Sequence, residues 1–311
     1  MKVIYGVGRV KPVLKNTVAA IGIFDGVHKG HQWLIRQMVA SARRKNSKSL
    51  VVTFHPHPVE VLHHRKISYL ASLTQRLELI KALGVDVAVV VQFTSKFANL
   101  EPEDFVCRYL IKRLGVREVF VGDDFRFGQN RSGDVVSFEQ LGAKYGFVVR
   151  HMRPVRKTAE KISSSWLREL IASGRLSEAA SMLGRNVSVA GKVVHGSARG
   201  KKLGYPTANI KIDSGILPQQ GVYVVRVNVG GHKISGIANI GYRPSFPGQN
   251  SSVRFEVHIF NFNKNIYGRS LEVEFLKKIR DEQKFSSIDQ LVTQIRHDEE
   301  FAHKYFRQHA R

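Results

Sequence analysis

Two glycine-punctuated segments of this chain carry side chains suited to phosphate chemistry. The first reads Gly22-Ile23-Phe24-Asp25-Gly26-Val27-His28-Lys29-Gly30-His31. Its two histidines are three residues apart, a spacing that puts both on one side of a helix start. Imidazole N–H groups donate to phosphate oxygens, and an imidazolium also neutralises charge. This suits nucleotidyl transfer, where negative charge builds on the α-phosphate as pyrophosphate leaves. Gly26 and Gly30 would let the backbone approach a phosphate closely. The bland alternative is two surface histidines in a glycine turn. A metal site lacks a third ligand at suitable spacing. A second element, Lys161-Ile162-Ser163-Ser164-Ser165-Trp166-Leu167-Arg168, opens a helix. Its hydroxyls, its first N–H groups and Arg168 one turn in read as an anion cradle, or else as a plain serine cap.

The second segment reads Gly191-Lys192-Val193-Val194-His195-Gly196, with Gly200 following, then Gly204-Tyr205-Pro206-Thr207-Ala208-Asn209. Thr207 and Asn209 alternate, so both point to one face of a strand. A hydroxyl and an amide carbonyl are hard oxygen ligands that suit Mg²⁺ carrying water and phosphate oxygens. Ordinary polar residues on an exposed strand face would look the same. In Val253-Arg-Phe-Glu-Val-His-Ile259, Phe255, Val257 and Ile259 share one face, and Arg254, Glu256 and His258 share the other. On pattern alone the second face reads as solvated.

The elements that must position these groups change in character along the chain. Val18–Phe24, Leu50–Phe54, Val85–Phe93, Glu118–Gly122 and Phe147–His151 read as strands. Helical periods lie between them at His31–Arg44, Ser72–Leu83, Pro102–Leu114 and Phe138–Tyr145. Alternating strands and helices predict a parallel sheet with helices on its faces, Rossmann-like, with ligands at the carboxyl ends of the strands. Two short helices follow, at Ser163–Ala172 and Ser177–Leu183. From Val187 to Phe275 strands alternate with turns and no helical period appears, which predicts a small antiparallel barrel. Its strands are Val187–Val194, Ala208–Ile212, Val222–Val229, His232–Ala238, Arg254–Asn261 and Leu271–Phe275. A terminal helix spans Ser287–Gln308. The boundary falls near Gly184, giving domains 1–184 and 185–311.

The chain has 311 residues, 43% of them hydrophobic and 24% charged, as in ordinary globular domains. No run of about 20 apolar residues exists, so no membrane partner is expected. The N-terminus lacks the apolar core of a secretory signal. Cys107 is the single cysteine, which excludes an internal disulfide and fits a cytoplasmic protein. The formal net charge of +24 attracts polyanions. The cations are dispersed in the sequence with no nucleic-acid motif, so only weak, non-specific nucleic-acid binding is expected. An oligomer is compatible with the sequence.

The motif set resembles the bacterial bifunctional riboflavin kinase/FAD synthetase family over nearly the whole chain. Gly22–His31, Phe54-His-Pro-His-Pro58, Val121-Gly-Asp-Asp-Phe-Arg-Phe-Gly128 and Ile162–Arg168 resemble its adenylyltransferase blocks. Gly204–Asn209, Gly221-Val-Tyr223, Glu256-x-His258 and Tyr267-Gly268 resemble its kinase blocks in their usual order. The resemblance implies phosphorylation of riboflavin to FMN, then transfer of AMP from ATP to FMN to give FAD. It implies ATP contacts at Gly22, Phe24, Asp25, His28, Gly30, His31, Ser163, Ser164 and Arg168. Flavin contacts are implied at Asp124, Phe125 and Phe127. In the second half it implies Glu256 as general base, Mg-ATP on Thr207 and Asn209, a phosphate loop from Gly196 through Gly200 to Gly204, and Arg280 over the flavin phosphate. The chain departs from the family's usual residues at Ser165 and Tyr242, where Thr is commoner, and at Asn261 and Asn263, where Asp is common.

Overall fold

The structure is a computed structural model that describes residues 1–10, 14–152, 156–157, 160–196, 200, 203–242 and 253–309. By contacts the chain divides into two compact units, residues 1–67 with 73–164 and residues 68–72 with 165–311.

The first unit is built on six parallel strands, β1 (Lys2–Tyr5), β2 (Thr17–Ile21), β3 (Lys48–His55), β4 (Val87–Gln92), β5 (Val116–Gly122) and β6 (Val148–Met152), ordered β1-β4-β3-β2-β5-β6. All five residues of β2 are buried, as expected where helices cover both faces of a parallel sheet. Helix α1 (Lys29–Arg44) buries Leu34, Ile35, Met38, Val39 and Ala42 at helical spacing and places Arg43 and Arg44 at its negative end. Helices α2 (Pro58–Leu62), α3 (Leu73–Ala82), α4 (Ser95–Ala98), α5 (Pro102–Asp104) and α6 (Val135–Tyr145) follow; Ile80 of α3 joins the core under α1, and Phe138 of α6 packs on the opposite face.

The helix expected over Pro102–Leu114 is α-helical only at its start. Phe105–Ile111 is a π-helix, with Lys112 N–H donating to the Cys107 carbonyl at 3.1 Å. The wider turn buries Phe105, Val106 and Leu110 together. Gly115 closes it at φ 57°, where a Cβ would lie 2.3 Å from the Leu14 carbonyl oxygen. Strand β2 stops at Ile21 rather than Phe24, because Phe24 turns to φ 53° and Gly26 to φ 73°. Strand β1 is too short to show a period in the sequence, and so are β7 (Arg156–Lys157) and β8 (Glu160–Lys161), which pair antiparallel after β6.

The second unit holds α7 (Ser164–Ala172, from Ser165 on), α8 (Leu176–Leu183) and a closed antiparallel barrel. Its strands are β9 (Val187–Val194), β10 (Ala208–Ser214), β11 (Gly221–Val229), β12 (His232–Tyr242), β13 (Val253–Ile259) and β14 (Ser270–Arg280), in the order β10-β13-β12-β11-β14-β9. The alternation in β13 holds: Phe255, Val257 and Ile259 are buried, and Arg254, Glu256 and His258 lie on the half-buried face. β13 ends at Ile259 because Asn261 takes a left-handed turn at φ 53°. Helix α9 (Ile288–Gln308) is capped by the Ser287 side chain and packs Ala302 against Val224, Ile237 and Phe260. Residues 243–245 of the Gly-x-Arg-Pro-Ser segment and residues 197–199 and 201–202 of the phosphate loop lie outside the described residues.

Candidate active sites

In the first unit, His28 caps α1 at the carboxyl end of β2. Its Nδ1 accepts from the His31 backbone N–H at 3.4 Å. The two imidazole rings stack with centroids 3.6 Å apart and planes 20° from parallel. Phe24 meets the His31 ring edge-on at 5.3 Å. The glycines serve these side chains: a Cβ on Gly22 would lie 3.0 Å from the Phe24 ring, and one on Gly30 would lie 3.1 Å from the His28 ring. Phe24 and Asp25 are each 2% exposed, so they offer a ligand backbone and support rather than side-chain surface. Ser164 Oγ donates to the Asp25 carbonyl at 3.3 Å, within the first unit. Ser163 is half-buried beside it. Arg168, one turn further on, donates from Nε to the Ser68 carbonyl at 2.9 Å.

Two residues behind this loop carried no signal in the sequence. Thr53 Oγ1 donates to the Ile23 carbonyl at 2.9 Å, and Arg76 Nη1 donates to the same oxygen at 2.6 Å. Arg76 is fully buried on α3 and also reaches the Phe54 carbonyl at 3.3 Å. In the sequence it is one more cation in an amphipathic helix. Burial, then the neighbouring Arg76 charge, holds the His55 imidazole below its usual range.

The Gly122–Gly128 loop separates its aromatics. Asp124 is exposed, and Phe125 is half-buried and stacked on Phe127 with centroids 5.3 Å apart. Phe127, expected at the flavin, is a core residue. It packs on Phe105 and Phe138, and a Cβ on Gly133 would lie 2.6 Å from its ring. Arg126 pairs with Asp134, the cap of α6, at 3.2 Å.

In the second unit a cavity of about 310 Å³ opens beside the barrel, lined among others by Gly200, Thr207, Asn239, Glu256, His258 and Arg280. Glu256 opposes Asn209 in the β10–β13 ladder and Asn239 in the β12–β13 ladder. Arg254 Nη2 holds Glu256 Oε1 at 2.7 Å. Gly196 and Gly200 are demanded by packing: a Cβ on Gly196 would lie 2.1 Å from the Asn209 amide nitrogen, and one on Gly200 would lie 2.4 Å from the Tyr205 carbonyl. Arg280 lines the cavity with its charge already engaged. Its Nε and Nη2 grip the buried Asp298 carboxylate of α9 at 2.9 and 2.8 Å. Asn239, Arg254 and Asp298 were not singled out by the sequence, because each needs the ladder register or the helix docking to reach the cavity.

A family model described as FAD synthetase matches residues 10–166, and one described as riboflavin kinase matches residues 183–306. The bifunctional riboflavin kinase/FMN adenylyltransferase of Escherichia coli (strain K12) is 37% identical over 309 residues, covering 98% of both chains. That of Buchnera aphidicola subsp. Schizaphis graminum is 36% identical, covering 98% of this chain and 99% of the other. The chain belongs to the bifunctional riboflavin kinase/FMN adenylyltransferase family. A crystal structure of a macrolide-efflux protein from Streptococcus pneumoniae matches with TM-score 0.86 and 33% identity, covering 97% of this chain and 99% of the other. Its name is that protein's own; among the described residues here, no helix is long and apolar enough to cross a membrane. The first matched segment spans β2 to β6, and the second spans the barrel and most of α9. Residues 167–182 lie between them, and by contacts they cluster with the barrel.

Proposed function

We propose that the protein converts riboflavin to FMN at the barrel cavity and FMN to FAD at the His28–His31 loop, using ATP in both steps. We assign residues 1–184 to adenylylation and 185–311 to phosphorylation. The observation that carries the reading is the pairing of two phosphate-suited sites, each on the segment matched by the corresponding family model.

In phosphorylation the riboflavin 5′-hydroxyl loses its proton to Glu256 as its oxygen bonds the γ-phosphorus, and ADP leaves. Arg254 orients the carboxylate that takes the proton. Thr207 and Asn209 fit Mg²⁺: they are two neutral oxygen donors, Asn209 on β10 and Thr207 just before its first residue. No group of three or more His, Cys, Asp or Glu side chains suited to a metal exists among the described residues. A cation held this way keeps water and phosphate oxygens as its remaining ligands. When bound, it would offset charge on the transferring phosphate. Gly196 and Gly200 bring the phosphate loop against these two side chains.

In adenylylation an FMN phosphate oxygen bonds the α-phosphorus of ATP, and the bond to pyrophosphate breaks. The nucleophile is already ionised, so no protein base is required. His28 and His31 donate to the phosphate oxygens at the start of α1, Ser164 extends the cradle, and Asp124 and Phe125 face the flavin. We assign the protein to the cytoplasm, where ATP is supplied for both steps. Product chromatography tests it: riboflavin with Mg-ATP should give FMN and then FAD, and chelation of Mg²⁺ should stop both. Turnover that persists under full chelation would remove the metal from the account.

A further inference from the structure

The ladder between β10 and β13 ends with Ala208 opposite Val257. Pro206, two residues before Ala208, has no N–H with which to extend the pairing. A side chain takes over there. His258 Nδ1 lies 2.8 Å from the Pro206 carbonyl oxygen. A carbonyl only accepts, so this contact assigns the proton to Nδ1. On the other side of the ring, Nε2 lies 3.8 Å from Glu299 Oε1 of α9. The ring also packs edge-on against Tyr205 and Phe260, with centroids 5.7 Å away in each case. Its side chain is 12% exposed and lines the cavity with Thr207 and Glu256.

We infer that His258 is a positioning residue for riboflavin phosphorylation: it clamps the Pro206 carbonyl and so fixes Thr207, the next residue, against the strand that carries Glu256. The inference rests on the roles proposed above for Thr207 and Glu256. Its physical content is spacing. Glu256 and His258 are two apart on one strand face, so β13 aims the base and holds the nucleotide-binding segment at once. Release of the Pro206 carbonyl would let Thr207 drift relative to Glu256, and a drift of about 1 Å costs up to about 100-fold in a positioned reaction. Glu299 of α9 borders the ring on its Nε2 side, 3.8 Å away.

The test uses the full chain with His258→Phe, which keeps the ring shape and loses the donor, and His258→Gln, whose amide N–H can reach a carbonyl. Both are assayed for riboflavin phosphorylation at varied Mg-ATP, for FAD formation from supplied FMN, and for melting temperature. His258→Phe is expected to lower kcat/KM for Mg-ATP by about 10-fold to 100-fold, with FAD formation unchanged and His258→Gln recovering much of the loss. Wild-type kinetics in His258→Phe overturn the inference, as does equal loss of both activities. Should His258→Phe not fold, His258→Leu decides: a several-fold loss in phosphorylation alone supports the clamp, and wild-type kinetics overturn it. A wild-type protein without riboflavin phosphorylation would instead sink the functional reading itself.

Discussion

Asn209 on β10 and Glu256 on β13 are directly opposed partners in one antiparallel ladder. That register makes the carboxylate a neighbour of the side chain suited to Mg-ATP. Glu256→Gln keeps the size and polarity of the group but takes no proton near neutral pH. Riboflavin phosphorylation is expected to fall by about 10²-fold to 10⁴-fold, while FAD formation from supplied FMN continues. An unchanged phosphorylation rate would reduce Glu256 to a strand-face carboxylate.

The stacked pair of His28 and His31 makes the complementary case. His31→Ala is expected to lower FAD formation by about 10²-fold to 10³-fold, the range for losing one donor to developing charge. Phosphorylation of riboflavin should persist in the same preparation. Steady-state rates from each flavin substrate give both values. Equal loss of the two activities in a folded variant would count against separate sites.

Gly196 tests the packing of the phosphate loop. A methyl group there would press into the Asn209 amide, so Asn209 must shift. Gly196→Ala should raise the KM for Mg-ATP in riboflavin phosphorylation and leave adenylylation untouched. A KM equal to wild type would show that Asn209 has room to move without consequence.

Much of this was legible in the sequence, for identifiable reasons. β13 alternates cleanly because one face is core and the other lines a cavity, and Gly84, Gly115 and Gly146 mark left-handed helix ends. The His28–His31 spacing also reads directly, since it depends on one helical turn. Other features had no local signal. Phe125 and Phe127 look alike in sequence, and only the Gly133 contact shows which one is buried. The π-turn over Phe105–Ile111 is a packing choice inside a pattern that fits an α-helix equally well. Asn239 meets Glu256 only through strand register.

The buried carboxylate of Glu118 on β5 ties α1 to the sheet. It accepts from Ser41 Oγ, from Lys45 Nζ at 2.8 Å and from Arg150 Nε at 3.1 Å. Burial pushes its pKa up, but these bonds outweigh burial and leave it below the ordinary value. A depressed folded value means the stabilisation is full above the ordinary carboxylate range and is lost as pH falls through the folded value. Glu118→Gln should therefore destabilise the protein near neutral pH by about 1–3 kcal/mol. Denaturant melts should show that gap narrowing in acid; a constant gap would contradict the account.

Cations that look scattered in sequence are partly gathered by topology. Lys2 and Lys48 open β1 and β3, Arg117 sits at the start of β5, and Lys15 precedes β2, all at the amino edge of the parallel sheet. Among the described residues no base-reading element accompanies them, so RNA should bind weakly, without sequence preference, and fall off steeply with salt. Anisotropy titrations across ionic strength check this. Sequence-dependent binding that survives about 0.2 M salt would contradict it.

The central claim is that one chain holds two independent flavin sites joined by FMN. Complementation tests it most directly. His31→Ala given riboflavin and Mg-ATP should stop at FMN, and Glu256→Gln should leave riboflavin unconverted. Mixed together, the two variants should restore FAD, because FMN made by the first is adenylylated by the second. A mixture that forms no FAD, although each variant keeps its own remaining activity, would contradict the account.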